Sequence, residues 1–341
     1  MAFSIGGVEI EGRAALAPLA GVTDLPFRVV CREHGCGLTC SEMVSAAALA
    51  LGGRKAIARA RGLMASDRPG APYAIQLFGS RPEHFAAAAP VAAEAGASLI
   101  DINMGCPVRK VVSSGSGAAL LLDPARAAAI VAAVVRAVRV PVTVKLRSGF
   151  TRGKISAPEV ARLCVEAGAR GVAVHGRARD EGYSVPADWS VIAAVVQAVP
   201  GVPVLGNGDV RSLADAEAML ERTGCAAVLI GRGAMGHPGI FGEIARGAED
   251  ADVLAGRAAA LARHAELVRA EYGEDPRVAA AFRKHLVAYT RAVAGAAELR
   301  RRLMELRTLE AQTEAGLRVL ERAREGSGPG PAALAREEGE G

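Results

Sequence analysis

Eight short runs rich in Val, Ile and Leu recur along the first two thirds of the chain, at 14–19, 37–44, 71–78, 98–105, 141–147, 171–176, 202–208 and 226–233. Ala-rich stretches with helical character separate them. Most of the runs are continuously apolar rather than alternating, the pattern of parallel strands covered on both faces. The intervals are long enough to hold crossover helices. Eight such units over about 240 residues predict an α/β fold, a closed (β/α)8 TIM barrel rather than an open doubly wound sheet.

After about Phe241 the pattern changes. Strand-like runs cease, and helical periodicity covers 253–272, 277–292, 296–306 and 309–324. Pro276 stands where a helix can start, because the first helical turn needs no N–H from it. A smaller all-helical C-terminal domain is therefore expected to follow the barrel. The resulting division is a barrel at 1–243, a helical domain at 244–325 and a tail at 326–341, GSGPGPAALAREEGEG, whose composition is that of a disordered segment.

The polar residues of the barrel fall at the C-terminal ends of its strands. Pro18 follows the first run, Glu42 closes the second and Gln76 lies on the third. Asn103 and Cys106 end the fourth, Lys145 and Arg147 lie on the fifth, and His175 ends the sixth. Asn207 and Asp209 follow the seventh, and Arg232 the eighth. Barrel active sites are built at that rim. Each residue alone also reads as a hydrogen-bonded core group or a helix cap; their joint placement points to a site.

The stretch LIDINMGCPVRKV, from Leu99 to Val111, is the sharpest of these. It reads as a buried strand that stops at Gly105, which puts Cys106 at the strand's mouth with Pro107 fixing the backbone beyond it. A thiol there serves as a proton donor or, where its neighbours ionise it, as a nucleophile. Gly206-Asn207-Gly208-Asp209 and Gly231-Arg232-Gly233 each offer bare backbone N–H groups before a helical segment. These resemble the phosphate cradle that barrels build after strands seven and eight, so a phosphorylated cofactor or substrate is expected.

Composition adds constraints. Hydrophobic residues make up 51% of the 341 positions and aromatics only 4%, so the core is built of Ala, Val and Leu and few rings are available for stacking on bases. No leader pattern and no apolar run of membrane-spanning length is visible, and the expected place is the cytoplasm, with no membrane partner. The six cysteines lack the paired spacing of a zinc site; Cys31, Cys36 and Cys40 read as small buried residues, and no metal is expected. The net charge of +5 permits a polyanionic partner without demanding one. Its densest set is C-terminal, with Arg277, Arg283, Lys284, Arg291, Arg300, Arg301, Arg302 and Arg307, a set that reads equally as a solvated helix face.

Together these residues resemble the tRNA-dihydrouridine synthases, most closely the bacterial B-type branch. The motifs are APLAGVTDLPFR at Ala17, SEMVSA at Ser41, QLFGSRPE at Gln76, DINMGCPVRKV at Asp101, VKLRSG at Val144, VHGRARDEGYS at Val174, GNGDV at Gly206 and IGRGAMG at Ile230. The resemblance implies a flavin enzyme holding FMN through Pro18, Leu19, Ala20, Gln76, Lys145, His175, Asn207, Gly208, Asp209, Gly231 and Arg232. It implies Cys106 as the proton donor for a uracil ring, with NADPH or NADH returning electrons to the flavin. Asn103, Arg147, Arg283, Lys284, Arg300 and Arg301 are then expected to meet a tRNA substrate, on a protein expected to be a monomer. Three positions depart from the pattern: Leu19 stands where Met is usual, Val185-Pro186 replaces Gly-x, and Gly239 stands where Trp is frequent. Other readings of the same residues are an FMN barrel acting on a free pyrimidine, like dihydroorotate dehydrogenase, an aldolase-like barrel with Lys145 as Schiff base, and an RNA-binding protein whose barrel has lost its activity.

Overall fold

The computed structural model describes residues 2–326. The expected tail lies outside them apart from Gly326. The chain divides into two compact units that part between Gly231 and Arg232; the boundary expected at 243 falls inside a helix of the second.

The first unit opens with an antiparallel hairpin, β1 (Ala2–Ile5) and β2 (Val8–Glu11). Gly6 and Gly7 form its turn with φ of 57° and 90°, a conformation open to glycine and strained for other residues. Nine further strands follow: β3 (Ala14–Leu16), β4 (Thr39–Cys40), β5 (Val44–Ser45), β6 (Tyr73–Phe78), β7 (Leu99–Met104), β8 (Val142–Arg147), β9 (Gly171–His175), β10 (Val204–Asn207) and β11 (Ala227–Ile230). All pair in parallel in the order β3-β11-β10-β9-β8-β7-β6-β4, with β5 also on β6. A bridge between Ala15 and Leu38 joins the first strand to the second, so the ring is a nearly closed eight-stranded parallel barrel. The second barrel strand is broken into β4 and β5 at Ser41, whose backbone N–H bonds to Ala74 and whose hydroxyl accepts from the Gln76 N–H.

Helices run between the strands: α1 (Leu25–Glu33), α2 (Ala46–Leu51), α3 (Arg54–Leu63), α4 (Pro82–Glu94), α5 (Arg109–Val112), α6 (Pro124–Ala137), α7 (Ala157–Glu166), α8 (Trp189–Ala198) and α9 (Leu213–Thr223). Their starts follow from local chemistry. Asp24, Asp123 and Asp188 cap α1, α6 and α8 through their carboxylates, and Ser212 with Asp215 forms a capping box on α9.

The hairpin, whose Gly-Gly turn between FSI and VEIE is its sequence signal, plugs the N-terminal end of the barrel. Ile5 and Ile10 are fully buried against Leu99, Ala173 and Ala227, a gain of about 1.5–3 kcal/mol each at most. Above this floor, alternate residues of the strands line the interior: Leu99 and Asp101 on β7, Thr143 and Lys145 on β8, Gly171 and Ala173 on β9. The lining is apolar at the bottom and polar toward the strand ends.

The second unit is helical throughout: α10 (Ile240–Arg246), α11 (Val253–Tyr272), α12 (Pro276–Tyr289), α13 (Ala296–Arg302) and α14 (Leu309–Gly326). Asp275 caps α12 with Pro276 at its first position. Helices α11, α12 and α14 pack together, burying Leu261, Phe282, Leu286 and Leu320. No helix among the described residues is long and apolar enough to cross a membrane.

Candidate active site

The register of the parallel ladder sets neighbouring side chains side by side at the barrel mouth. Gln76 pairs with Asp101, Asn103 with Lys145, Arg147 with His175, and His175 with Asn207. Each is the last or next-to-last inward position of its strand, so the apolar lining gives way there to three amides, a carboxylate, an ammonium, a guanidinium and an imidazole.

A continuous hydrogen-bonded chain crosses three of these strands. Thr143 Oγ1 donates to Asp101 Oδ1 at 2.6 Å, and Gln76 Nε2 donates to Asp101 Oδ2 at 2.7 Å. Asn103 Nδ2 donates to Gln76 Oε1 at 2.8 Å. Asn103 Oδ1 then accepts from the backbone N–H of Gly105 at 3.2 Å and of Cys106 at 2.9 Å. All four side chains are buried. Burial raises the Asp101 carboxyl, opposed by its bonds from Gln76 and Thr143 and by the Lys145 charge. Neither Asp101 nor Thr143 was among the expected site residues; the signal was a carboxylate inside the apolar run LIDINM, which a buried strand tolerates only with partners.

Cys106 itself is partly exposed, whereas the other five cysteines are buried. Its carbonyl accepts from Ala118 N–H at 3.1 Å, so the loop beyond α5 folds back onto it. Gly117 makes this possible. Its φ is +60°, and a Cβ there would stand 2.9 Å from the Cys106 carbonyl oxygen. Arg147 braces the same turn, donating from Nε to the Gly105 carbonyl at 3.0 Å and from its guanidinium to the Ala178 carbonyl at 2.7 Å.

Lys145 Nζ donates to Asn207 Oδ1 at 3.1 Å, and Asn207 Nδ2 donates to the Leu229 carbonyl at 2.6 Å. Burial pushes the ammonium down to about 8, helped by Arg147 and resisted by Asp101. Lys145, Asp101, Thr143 and Pro18 share a cavity of about 30 Å³ with the apolar floor residues. That volume has room for water; a ring system must lie above it.

The sixth and seventh strand ends are locked by a residue the sequence reading did not single out. Arg177 is buried and donates to both carboxylate oxygens of Asp209, at 2.8 and 2.6 Å, and to carbonyls of Tyr183 and Val185; its guanidinium also lies 3.2 Å from His175 Nε2. The Ala187 N–H bonds to Asp209 as well. Asp209 therefore turns its side chain toward this loop with φ of 58°, while the carbonyls of Asn207 and Gly208 accept from the Gly176 N–H and from Trp189 Nε1, both at 3.1 Å. Gly208 allows the close approach, since a Cβ there would meet Ala187 at 2.6 Å. Pro18, Leu19 and Ala20 follow β3, where Leu19 N–H and carbonyl both bond to Thr23 Oγ1. Gly231 ends the first unit, and Arg232 opens the second in a 3-10 turn, Arg232–Ala234.

The remaining expected residues lie on the helical unit. Lys284 and Arg300 are exposed and Arg283 half-buried, with a guanidinium nitrogen 3.3 Å from the Met304 sulfur. Arg301 pairs with Glu298 and Arg302 with Glu305. Cys31, Cys36 and Cys40 are buried with thiols raised by desolvation. The described residues hold no group of three or more His, Cys, Asp or Glu arranged for a metal.

Comparison with known proteins adds a second line of observation. A family model described as dihydrouridine synthase (Dus) matches residues 15–324. The chain is 40% identical over 334 residues to tRNA-dihydrouridine synthase B of Pseudomonas aeruginosa, covering 96% of this chain and 98% of that one. It is 40% identical over 315 residues to tRNA-dihydrouridine synthase B of Xanthomonas axonopodis, covering 90% and 92%. Among solved structures, histamine dehydrogenase from Rhizobium sp. 4-9 superposes with a TM-score of 0.58 at 15% identity, over 78% of this chain and 50% of that one. That likeness is one of fold, and this chain spans about half the length of that protein.

Proposed function

The chain belongs to the dihydrouridine synthase family, and from that premise we propose that it saturates the 5,6 double bond of uridines in tRNA to give dihydrouridine. The observation that carries this reading is Cys106, the cysteine left partly exposed, held by Asn103 at the mouth of a barrel lined there by Gln76, Lys145, His175 and Asn207.

The residues fit FMN as the cofactor. Amides and an ammonium at the strand ends match the donors and acceptors of a flavin's pyrimidine edge. Gly208 and Gly231 carry no side chain to keep a phosphate from their backbone, and the resemblance in IGRGAMG assigns Arg232 to the same group. When bound and reduced by NADPH or NADH, FMN supplies a hydride to carbon 6 of the base. Cys106 gives its thiol proton to carbon 5 and is reprotonated from solvent. Asn103 and Arg147 fix the Gly105–Cys106 peptide that carries that thiol, so the donor does not have to be found by the substrate. Lys145, buried at its strand end, would set a positive charge against the electron-rich pyrimidine edge of a bound flavin. The target base must leave its stack to reach the thiol, and Arg283, Lys284, Arg300 and Arg301 grip the phosphates of the surrounding RNA.

The test is mass spectrometry of tRNA nucleosides from cells with and without the protein, which should show dihydrouridine, heavier by two hydrogens, at defined positions. Cys106→Ala should keep the yellow colour and still oxidise NADPH or NADH, yet form dihydrouridine slower by on the order of a hundredfold. Near-normal turnover in that variant would remove Cys106 from the reaction.

A further inference from the structure

Two amides stand between Asp101 and Cys106, and neither has a free choice of orientation. At one end the Asp101 carboxylate faces two proton donors, Gln76 Nε2 and Thr143 Oγ1. At the other end Asn103 faces two backbone N–H groups, of Gly105 and Cys106, which only donate. An amide presents an oxygen on one side and an NH2 on the other. With acceptors required of Asn103 toward the backbone, its NH2 must face Gln76 Oε1, and Gln76 must then turn its own NH2 to Asp101. A carboxylate at 101 is the terminus that satisfies this order. An inverted amide would set oxygen against oxygen beside Asp101 and NH2 against N–H beside Cys106, mismatches that buried groups cannot relieve by turning to bulk solvent.

We propose that Asp101 is a positioning residue for the reaction: its carboxylate sets the donor-to-acceptor direction of the Gln76–Asn103 chain and thereby holds the backbone of Cys106 in place. Asp101 acts through the two amides on the residue that delivers the proton. The meaning of this for catalysis rests on the reading of Cys106 as proton donor; the positioning itself is measured on the thiol.

The chain's logic makes one suppressor pair diagnostic. Asn103→Asp keeps acceptors for the Gly105 and Cys106 N–H groups but removes the donor to Gln76. Gln76 must then invert, and its oxygen meets the Asp101 carboxylate. Adding Asp101→Asn supplies an NH2 to that oxygen while its own oxygen still accepts from Thr143. Every partner in the double variant D101N/N103D is then satisfied, with the chain running in the opposite sense and the total charge unchanged. Protonating Asp101 in the N103D single variant has the same effect, so its defect should shrink as pH falls.

The experiment alkylates the folded holoenzyme with iodoacetamide and follows the Cys106 peptide by mass spectrometry, the other five cysteines being buried. N103D should change the alkylation rate at pH 8 by roughly tenfold, the size of effect expected when a buried amide contact loses its match. The double variant should return to within about threefold of wild type, and N103D should approach wild type as the pH is lowered, with rates corrected for the thiolate fraction. Should N103D fail to fold, soluble yield and melting temperature of the double against the single variant carry the same comparison. A double variant no better than N103D, or one additive with D101N, overturns the proposal. A protein that passes this test while C106A still makes dihydrouridine at the wild-type rate would retain the positioning and lose the proton-donor reading instead.

Discussion

Lys145 shows how much a single side chain's charge depends on where it sits. Burial brings its ammonium to about 8, so it is charged at neutral pH and loses the charge as pH rises through that value. A ligand that favours the ammonium raises its pKa again, and the protein must then take up a proton on binding wherever the free lysine was partly neutral. FMN binding to apoprotein at about pH 8.5 is accordingly expected to absorb protons, read by calorimetry in buffers of different ionisation enthalpy, and Lys145→Gln should abolish the uptake. Asp209 offers a second residue-scale test. Its partner Arg177 has a side chain 1% exposed and Asp209 itself 25%, so Asp209→Asn, which still tolerates the left-handed backbone, should cost about 3 kcal/mol by thermal or urea unfolding, the low end for a broken buried pair. Gln76, Asn103, Cys106 and Lys145 were legible in the chain because a polar residue at the end of an apolar run is conspicuous. Asp101, Thr143 and Arg177 were not singled out, because their roles depend on partners brought together only by the register, across intervals such as the 42 residues from Asp101 to Thr143.

At the scale of elements, the eight strands were readable because each is a continuous apolar run between helices that start at recognisable caps. The hairpin β1–β2 was passed over, since its two four-residue strands are too short to stand out from the residues around them. The break between β4 and β5 was also hidden: one apolar stretch, 37–44, reads as one strand, and only the pairing with β6 at two separate places reveals the interruption. In the helical unit, His264 on α11 and His285 on α12 are buried with ring centroids 4.6 Å apart. Burial holds His264 well below its usual value, and lowers His285 to about 3, with Lys284 adding to the shift. A histidine depressed on folding contributes stability that is fully present above its unfolded value near 6.5 and is lost as pH falls toward the folded one. The α11–α12 pair should therefore melt preferentially between about pH 6.5 and 3, seen as loss of amide protection in hydrogen exchange, and His285→Phe should flatten that dependence.

For the whole molecule, the charge on the helical unit bears on how RNA is held. Arg301 and Arg302 already face acids three residues away, whereas Lys284 and Arg300 make no ion pair among the described residues. Lys284→Gln and Arg300→Gln should each flatten the slope of log affinity for tRNA against log salt by about 0.7–0.9, while Arg301→Gln does less because its charge is already shared with Glu298. Flavin content should be unchanged in all three. The barrel carries a different consequence, set by its seam. The ring closes where β3 meets β11, and Arg13 reaches across that seam to the carbonyls of Cys225 and Ala226, more than two hundred residues away. A ribosome delivers the two sides of this seam more than two hundred residues apart. Until the last strand emerges, the first one has an open edge, and the isoleucines of the N-terminal plug have no finished floor to seal. Nascent chains stopped short of Ala227 should accordingly be cut by protease throughout the barrel, and those long enough to present β11 should become resistant there in one step, so that the hairpin and β3 settle only when a strand made long after them arrives.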